Sequence, residues 1–409
     1  MNPSRPVLLC VLCRSDKLER AVGLKPVPVA TPNFHGASDA TVPMDLMLCQ
    51  ACGNLQSAHM LDPEFNYRSY AYTTSSSPGL IEHFQDACAQ ALLRYDPPKG
   101  SLVVEIGSND GSFLKCWKRA GLRVCGVDPA EEVAGRARRS DIPTYASFFD
   151  EKMALTIRRQ VGGKAQIVLA NNVLANLEDL SVITKGLKRL LTPNGVFILE
   201  TQYGLDVIDK MLLDTIYPEH ISYFMVKPLA EHFDKHGFQI IAVDRISSKG
   251  GSIRVAVQRK GGKRLQRPEA GLMIYEEERR GAFRKELYAD FAIQVGVVRR
   301  RLGEILANEA RPVIGYGASV GTTTLLAQLG LQERLSVLLD DQCQEPGQSL
   351  NGTGVSPGGS LEKIVPGTCI IFAWRYAERI ISKHQDYIAR GGRFVVPLPS
   401  PRVVERTAS

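Results

Sequence analysis

The chain reads as an α/β protein of three parts. A small metal-bound N-terminal unit comes first, then a doubly wound, Rossmann-like, mostly parallel sheet, and last a second and smaller Rossmann-like α/β unit. Three observations predict this. Two Cys-x-x-Cys pairs, Cys10–Cys13 and Cys49–Cys52, lie in an irregular segment rich in proline and glycine. From Gly79 onward, short apolar runs alternate with helical patterns, the signature of a strand–helix–strand sheet. After a long helical stretch the same alternation restarts. The boundaries drawn from these shifts are 1–80, 81–262 and 263–409.

Bulk composition agrees. A chain of 409 residues exceeds one ordinary core, and 44% hydrophobic with 23% charged residues is the balance of a globular protein. The net charge of +7 is spread along the chain rather than gathered in a stripe, which argues against nucleic acid as a partner. The densest cluster, Arg299 to Arg301, falls within a helical pattern and reads either as a solvated face or as a contact for an anionic partner such as a nucleotide diphosphate. No apolar run approaches the ~20 residues that a membrane helix needs, and the N-terminus lacks the pattern of a signal peptide. Nine cysteines, four paired and five scattered, do not form a secreted disulfide framework, so a reducing, cytoplasmic setting is expected.

In the first unit, each Cys-x-x-Cys lets two thiolates and the amides of one turn converge on one ion, and two such knuckles complete a tetrahedron of sulfurs. Cys10, Cys13, Cys49 and Cys52 are therefore the expected zinc ligands, and Gly53 suits the tight turn behind the second pair. Four sulfurs leave no open position for water, which makes the zinc structural.

The second unit opens on LIEHFQDACAQALLRY, with apolar residues at helical spacing. SLVVEIG then reads as a buried strand, followed by a helix over SFLKCWKRAG, a strand over RVCGVD and a helix over AEEVAGRARRS. QIVLANN and GVFILET are further strands around the helix LEDLSVITKGLKRLL, and FQIIAVDRI with SIRVAVQR reads as a closing antiparallel hairpin.

The first strand runs into Glu105-x-Gly107-x-Asn109-Asp110-Gly111. Gly107 allows a ligand to lie against the backbone, while Asn109 and Asp110 tolerate left-handed turn angles. A dinucleotide site would instead present GxGxxG and a bare helix N-terminus to its pyrophosphate, which carboxylates would repel. An acidic strand end suits a cationic ligand, namely the amino and sulfonium groups of S-adenosylmethionine. About twenty residues on, Asp128 ends the second strand, where a carboxylate can accept two ribose hydroxyls. Asn171 and Asn172 end a later strand at the same edge.

Ligands of such sheets bind at the carboxyl ends of the strands, where Glu200-Thr201-Gln202-Tyr203 ends another. Shortly after comes DTIYPEHISYF, which puts the phenol of Tyr217, the carboxylate of Glu219 and the imidazole of His220 within four residues of a proline-containing loop. His220 suits a general base oriented by Glu219 or another carboxylate, and Tyr217 suits a donor to a developing oxyanion. His232 and His236 fall on an amphipathic helix and are expected at the surface. Lys249-Gly250-Gly251-Ser252 reads as a hairpin turn.

A helix over roughly 271–309 bridges to the third unit, whose strands are RPVIGYGAS, LSVLLDD, TCIIFAW and GRFVVPLP. Gly315, Gly317 and Ser319 resemble half of a dinucleotide fingerprint, a turn that can seat a phosphate on backbone amides. Asp340-Asp341 ends the next strand and could hold a ribose.

Together, CVLC…CQACGNLQ, YAYTTSSS, VVEIGSNDGSFL, GVDPA, ANNVLAN, ETQY, DTIYPEHISYF, GGSIR and GYGAS resemble the nucleotide-sugar C-methyltransferases, which methylate carbon 3 of 4-keto-deoxyhexoses. The resemblance runs from the first knuckle into the third unit. It implies an S-adenosylmethionine-dependent enzyme for deoxysugar biosynthesis whose base removes the proton alpha to a ketone, so that the enolate carbon takes the methyl group. His220 with Glu219 would be that base, and Tyr217 with Tyr70 or Tyr72 would contact the keto oxygen. The sugar nucleotide would lie between the middle and last units. Three positions differ from the usual pattern of that family: Pro218 and Asn176 stand where histidine is common, and Gly321 where lysine is. From the residues alone, methyl transfer to oxygen or nitrogen of another small molecule stays open, as does an inert zinc-ribbon scaffold.

Overall fold

The computed structural model describes residues 4–29, 40–68, 73–76, 79–344, 348–350 and 352–406. Its N-terminal sheet contains β1 (Leu18–Val22), β2 (Leu46–Cys49) and β3 (Leu55–Ser57), all antiparallel. The fourth strand, Ser222–Tyr223, comes from the loop that carries His220, with Ser222 opposite Gln56 and Tyr223 opposite Leu55. Gln56 is fully buried; its side-chain oxygen accepts the Val11 amide at 3.0 Å and so braces the first cysteine knuckle. Gly53 is required by packing as well as by its φ of 79°, because a Cβ there would lie 2.3 Å from the Phe283 ring.

The middle unit begins with α1 (Leu80–Tyr95), whose buried residues Phe84, Ala87, Cys88, Ala91 and Tyr95 repeat at helical spacing. Then β4 (Leu102–Ile106), α2 (Ser112–Arg119), β5 (Arg123–Asp128), α3 (Glu131–Arg139), β6 (Thr144–Ala146), β7 (Ala165–Asn171), α4 (Ser181–Leu190) and β8 (Leu191–Gln202) alternate as expected. After α5 (Gly204–Asp209) and α6 (Val226–Lys235), β9 (Phe238–Ile246) and β10 (Ser252–Arg259) close the sheet as an antiparallel hairpin. The strand order is β6-β5-β4-β7-β8-β10-β9, parallel up to β8. All five residues of β4 are buried, as a central parallel strand covered on both faces requires. The sheet is doubly wound and Rossmann-like.

Two expectations need correction here. The bridging stretch is two helices, α7 (Glu269–Arg279) and α8 (Lys285–Leu306), because Gly281 at φ 71° takes the left-handed position that ends a helix. His232 is buried rather than at the surface: its Nδ1 donates to the Leu12 carbonyl at 2.9 Å, tying α6 to the first knuckle. Periodicity along α6 cannot reveal that another unit covers its polar side. His236 is half-buried beside it.

In the third unit β11 (Val313–Tyr316), α9 (Val320–Leu329), β12 (Val337–Asp340), β13 (Gln348–Leu350), β14 (Thr353–Pro357), β15 (Thr368–Ile371), β16 (Arg393–Val396) and β17 (Arg402–Val404) form a second doubly wound sheet. Its order is β13-β14-β12-β11-β15-β16-β17, with antiparallel strands at both edges. One hydrophobic core joins Leu46, Leu48 and Leu55 of the first unit, Leu213 and Ile216 of the His220 loop, Tyr288, Phe291 and Val295 of α8, and Leu325 and Leu326 of α9. The loop thus lies where all three units meet.

Candidate active site

At the carboxyl end of β4, the turn takes left-handed angles at Gly107 (69°), Asn109 (49°) and Gly111 (75°). Asp110 does not share that conformation. Its carboxylate instead accepts the Ser112 and Ser75 amides at 3.1 and 3.0 Å, and despite burial these bonds hold it below the ordinary carboxylate value. A Cβ at Gly107 would meet the Val173 side chain at 2.3 Å, so the backbone must stay bare here. Asp128 is held from two sides, one oxygen accepting the Asn109 amide at 2.9 Å and the other the Ala130 amide at 3.0 Å.

Glu105, Asp110 and Asp128 converge. Burial, followed by the charges of Asp128 and Asp110, pushes the Glu105 carboxyl well up. Burial also raises Asp128. One Glu105 oxygen, the Asn171 side-chain amide and the Ser108 hydroxyl are buried without a hydrogen-bond partner, and Asn172 takes a left-handed φ of 55° beside them. Unpartnered buried polar groups beside crowded carboxylates at one sheet edge fit a ligand that carries positive charge and hydroxyl groups. S-adenosylmethionine has both.

The second constellation stands on the same edge, because Ile221 donates its amide to the Ala175 carbonyl, just beyond β7, at 2.6 Å. His220 is buried among the three units. Its Nδ1 meets the Thr215 carbonyl at 3.0 Å, and its Nε2 meets the Tyr217 hydroxyl at 2.7 Å. A carbonyl can only accept, so Nδ1 carries the proton and Nε2 offers its lone pair. Burial first, then the nearby Lys249 charge, lowers His220 to about 3, which leaves it neutral at physiological pH.

Glu219 does not orient the imidazole as expected; the Thr215 carbonyl does. One Glu219 oxygen is buried and unpartnered, and burial pushes its carboxyl up to about 7. Tyr217 bonds the base itself. Tyr70 and Tyr72 lie outside the described residues. Asn176 also ends near this edge, with its side-chain oxygen buried and unpartnered.

Lys249 escaped sequence reasoning beyond its hairpin turn. It holds a left-handed φ of 52°. The residue is exposed, yet the protein around it lowers its ammonium below the ordinary value. A φ > 0 at a lysine was the one signal that residue type alone could not carry. Glu200, by contrast, is neutralised: His83 at 2.8 Å and Arg254 at 3.1 Å hold it below the usual range despite its burial, pinning α1 to the sheet edge.

The sulfurs of Cys10, Cys13, Cys49 and Cys52 lie within 4.8 Å of one another, with two pairs at 3.6 Å. A tetrahedral zinc with bonds of about 2.3 Å would set sulfurs roughly 3.8 Å apart, so the set fits that ion.

In the third unit the expected phosphate-seating amides are already engaged. Gly317, at φ 104°, donates to the Leu339 carbonyl, Ala318 to Asp340 and Ser319 to the Thr322 hydroxyl. Asp340 holds its turn as Asp128 holds that of the middle unit, and Asp341 is taken by Tyr316 and Lys383. Gly315 is explained by packing, since a Cβ would strike Leu338 at 2.5 Å.

Comparison with known proteins agrees with this geometry. Residues 80–243 match the family model of a methyltransferase domain, and residues 247–399 that of the C-methyltransferase C-terminal domain. The chain is 30% identical over 411 aligned residues to the C-methyltransferase NovU of Streptomyces niveus, covering 98% of this chain and 97% of that protein. Solved structures give weaker likenesses. The magnesium protoporphyrin IX methyltransferase of Synechocystis PCC 6803 with bound SAM is 18% identical, covers 44% of this chain and 80% of its own, and superposes with a TM-score of 0.34. The PH0226 protein of Pyrococcus horikoshii OT3 is 16% identical, covers 49% and 96%, and gives 0.36. With both sheet units matched by family models and a relative aligned along almost its entire length, the chain belongs to the S-adenosylmethionine-dependent C-methyltransferases.

Proposed function

We propose that the protein methylates carbon alpha to the ketone of a nucleotide-linked 4-keto-deoxysugar, with His220 as the base. The observation that carries this reading is a neutral, buried imidazole beside the acidic edge of the sheet, with Nδ1 fixed on the Thr215 carbonyl and Nε2 accepting the Tyr217 hydroxyl. Methyl transfer to a hydroxyl or amine needs no carbon acid to be ionised.

Glu105, Gly107, Asn109, Asp110, Gly111, Asp128, Asn171 and Asn172 would hold S-adenosylmethionine, which supplies an electrophilic methyl on a sulfonium. The roles of the protein groups follow from their partners. Nε2 of His220 takes the alpha proton once the substrate displaces the Tyr217 hydroxyl, and the freed phenol then donates to the oxyanion at carbon 4. Lys249 makes its neighbour a weaker base, a cost that is offset where its positive charge steadies an anion formed beside His220. Glu219, pushed up to about 7, retains a proton in part near neutrality and can donate a hydrogen bond as well as accept one. The sugar's nucleotide would lie toward the third unit. Cys10, Cys13, Cys49 and Cys52 would bind zinc as a structural ion.

The test is incubation with a panel of nucleotide 4-keto-deoxysugars and methyl donor in deuterated water. The intact protein should add one methyl and wash deuterium into the position alpha to the ketone. His220→Asn should lose both while its affinity for S-adenosylmethionine stays unchanged. A methylated product without exchange would point to transfer onto oxygen or nitrogen, and an active His220→Asn would remove the assigned base.

A further inference from the structure

The base is oriented by a backbone carbonyl, so whatever fixes that carbonyl fixes the base. His220 Nδ1 bonds the Thr215 oxygen at 3.0 Å. The residues on either side of Thr215 are both held by the third unit. Before it, the Asp214 carboxylate is buried and paired with Arg375, whose Nη1 lies 2.9 and 2.7 Å from its two oxygens. The Asp214 carbonyl lies against Gly321, where a Cβ would come within 2.2 Å of the oxygen. After it, the Ile216 carbonyl accepts the hydroxyl of Thr324, a fully buried residue of α9, at 2.8 Å.

We infer that Thr324 and Arg375 of the third unit are positioning residues, which hold the segment Asp214–Ile216 so that the Thr215 carbonyl keeps His220 in its Nδ1-protonated form. The third unit then does more than cover the substrate. It sets which nitrogen of the base carries the proton. This rests on His220 being the base, as proposed above.

Three physical points support the assignment. A buried threonine hydroxyl directed at a loop carbonyl over 100 positions away in sequence is satisfied by that carbonyl, and it fixes the loop's distance from α9. The Asp214–Arg375 pair has two short contacts to one guanidinium nitrogen, with Asp214 only 9% exposed, so it is anchored more firmly than a solvent-facing pair. Gly321 lets the helix approach until backbone touches backbone. With the loop held on both sides of one residue, little rotation remains for the peptide between.

The experiment uses the full-length protein and needs no identified substrate for its first readout. Nitrogen-15 spectra of histidine-labelled protein distinguish the two neutral tautomers, and His220→Asn assigns the signal. Thr324→Val keeps the side-chain shape but removes the donor. It should leave His220 as a mixture of tautomers and lower turnover on an accepted sugar nucleotide by about tenfold or more, with affinity for S-adenosylmethionine unchanged. Thr324→Ser, which restores the hydroxyl, should recover both. If Thr324→Val does not fold, Arg375→Met carries the same readouts from the rim of the contact, with Arg375→Lys as its rescue. Wild-type tautomer and turnover in Thr324→Val, or in Arg375→Met where that variant stands in, would overturn the inference. If His220→Asn proves inactive in the same series, the base assignment survives and only the clamp falls. An active His220→Asn would instead remove the base itself.

Discussion

At the scale of single residues, the site works through hydrogen bonds that a carboxylate or an imidazole can make and a near-isosteric replacement cannot. Asp128 accepts a backbone amide with each oxygen. An asparagine there has one acceptor and one NH₂ group, which would face either the Asn109 or the Ala130 amide with a donor. Asp128→Asn should therefore distort the turn and weaken S-adenosylmethionine binding by about tenfold or more, since hydrogen bonds to charged groups are worth about 1.5–3 kcal/mol. Titration calorimetry measures this, and an unchanged affinity would contradict the proposed place of Asp128 in the cofactor site.

His232 gives a pH prediction. Its burial lowers it to about 4, so the folded protein keeps it neutral where the unfolded chain, near 6.5, would protonate it. Folding then excludes a proton, and the stability present above about 6.5 is lost as the pH falls toward 4. The size is on the order of 3 kcal/mol. His232→Asn, whose amide can replace the Nδ1 bond to Leu12 but does not titrate, should lose less stability than the parent across that window in urea melts. Parallel losses in the two proteins would show that His232 does not contribute.

At the scale of elements, the decisive piece is the run from Leu213 to Tyr223. Its start is held by α9 and Arg375, its middle carries Tyr217, Glu219 and His220, and its end is a strand of the N-terminal sheet. The cysteine site is therefore coupled to the His220 loop through β2 and β3, since Cys49 ends β2 and β3 pairs with Ser222–Tyr223. Cys49→Ser, or treatment with a strong chelator, should reduce bound metal, lower the melting temperature and reduce turnover together. Metal content by mass spectrometry and calorimetric melts provide the check. Full turnover in a metal-free protein would show that the knuckles and the loop are independent. The element that sequence periodicity merged, the bridge 271–309, shows the limit of pattern reading. A single left-handed Gly281 separates α7 from α8, and only α8 carries the apolar face that joins the first and third units.

At the scale of the whole molecule, three units share one core around one loop, and this arrangement explains which parts were legible in advance. The acidic β4 turn, Asp128, the paired cysteines and the alternation of both sheets could be read from the sequence because each is a short-range pattern. A turn, a knuckle or a strand is determined by residues within a few positions of one another, and their side chains name the chemistry. The orientation of His220 could not be read that way. Its partner is a backbone carbonyl, which every residue possesses, so no residue type marks Thr215 as the acceptor. Nor does the sequence reveal that Thr324 and Arg375 hold the residues beside it, or that Leu12 covers His232, because those contacts join positions far apart along the chain. By itself the sequence determined the fold class and marked both the acidic strand edge and the four cysteines whose sulfurs the fold brings together. The tertiary structure decided which nitrogen of His220 carries the proton, because only the folded loop brings the Thr215 carbonyl to Nδ1.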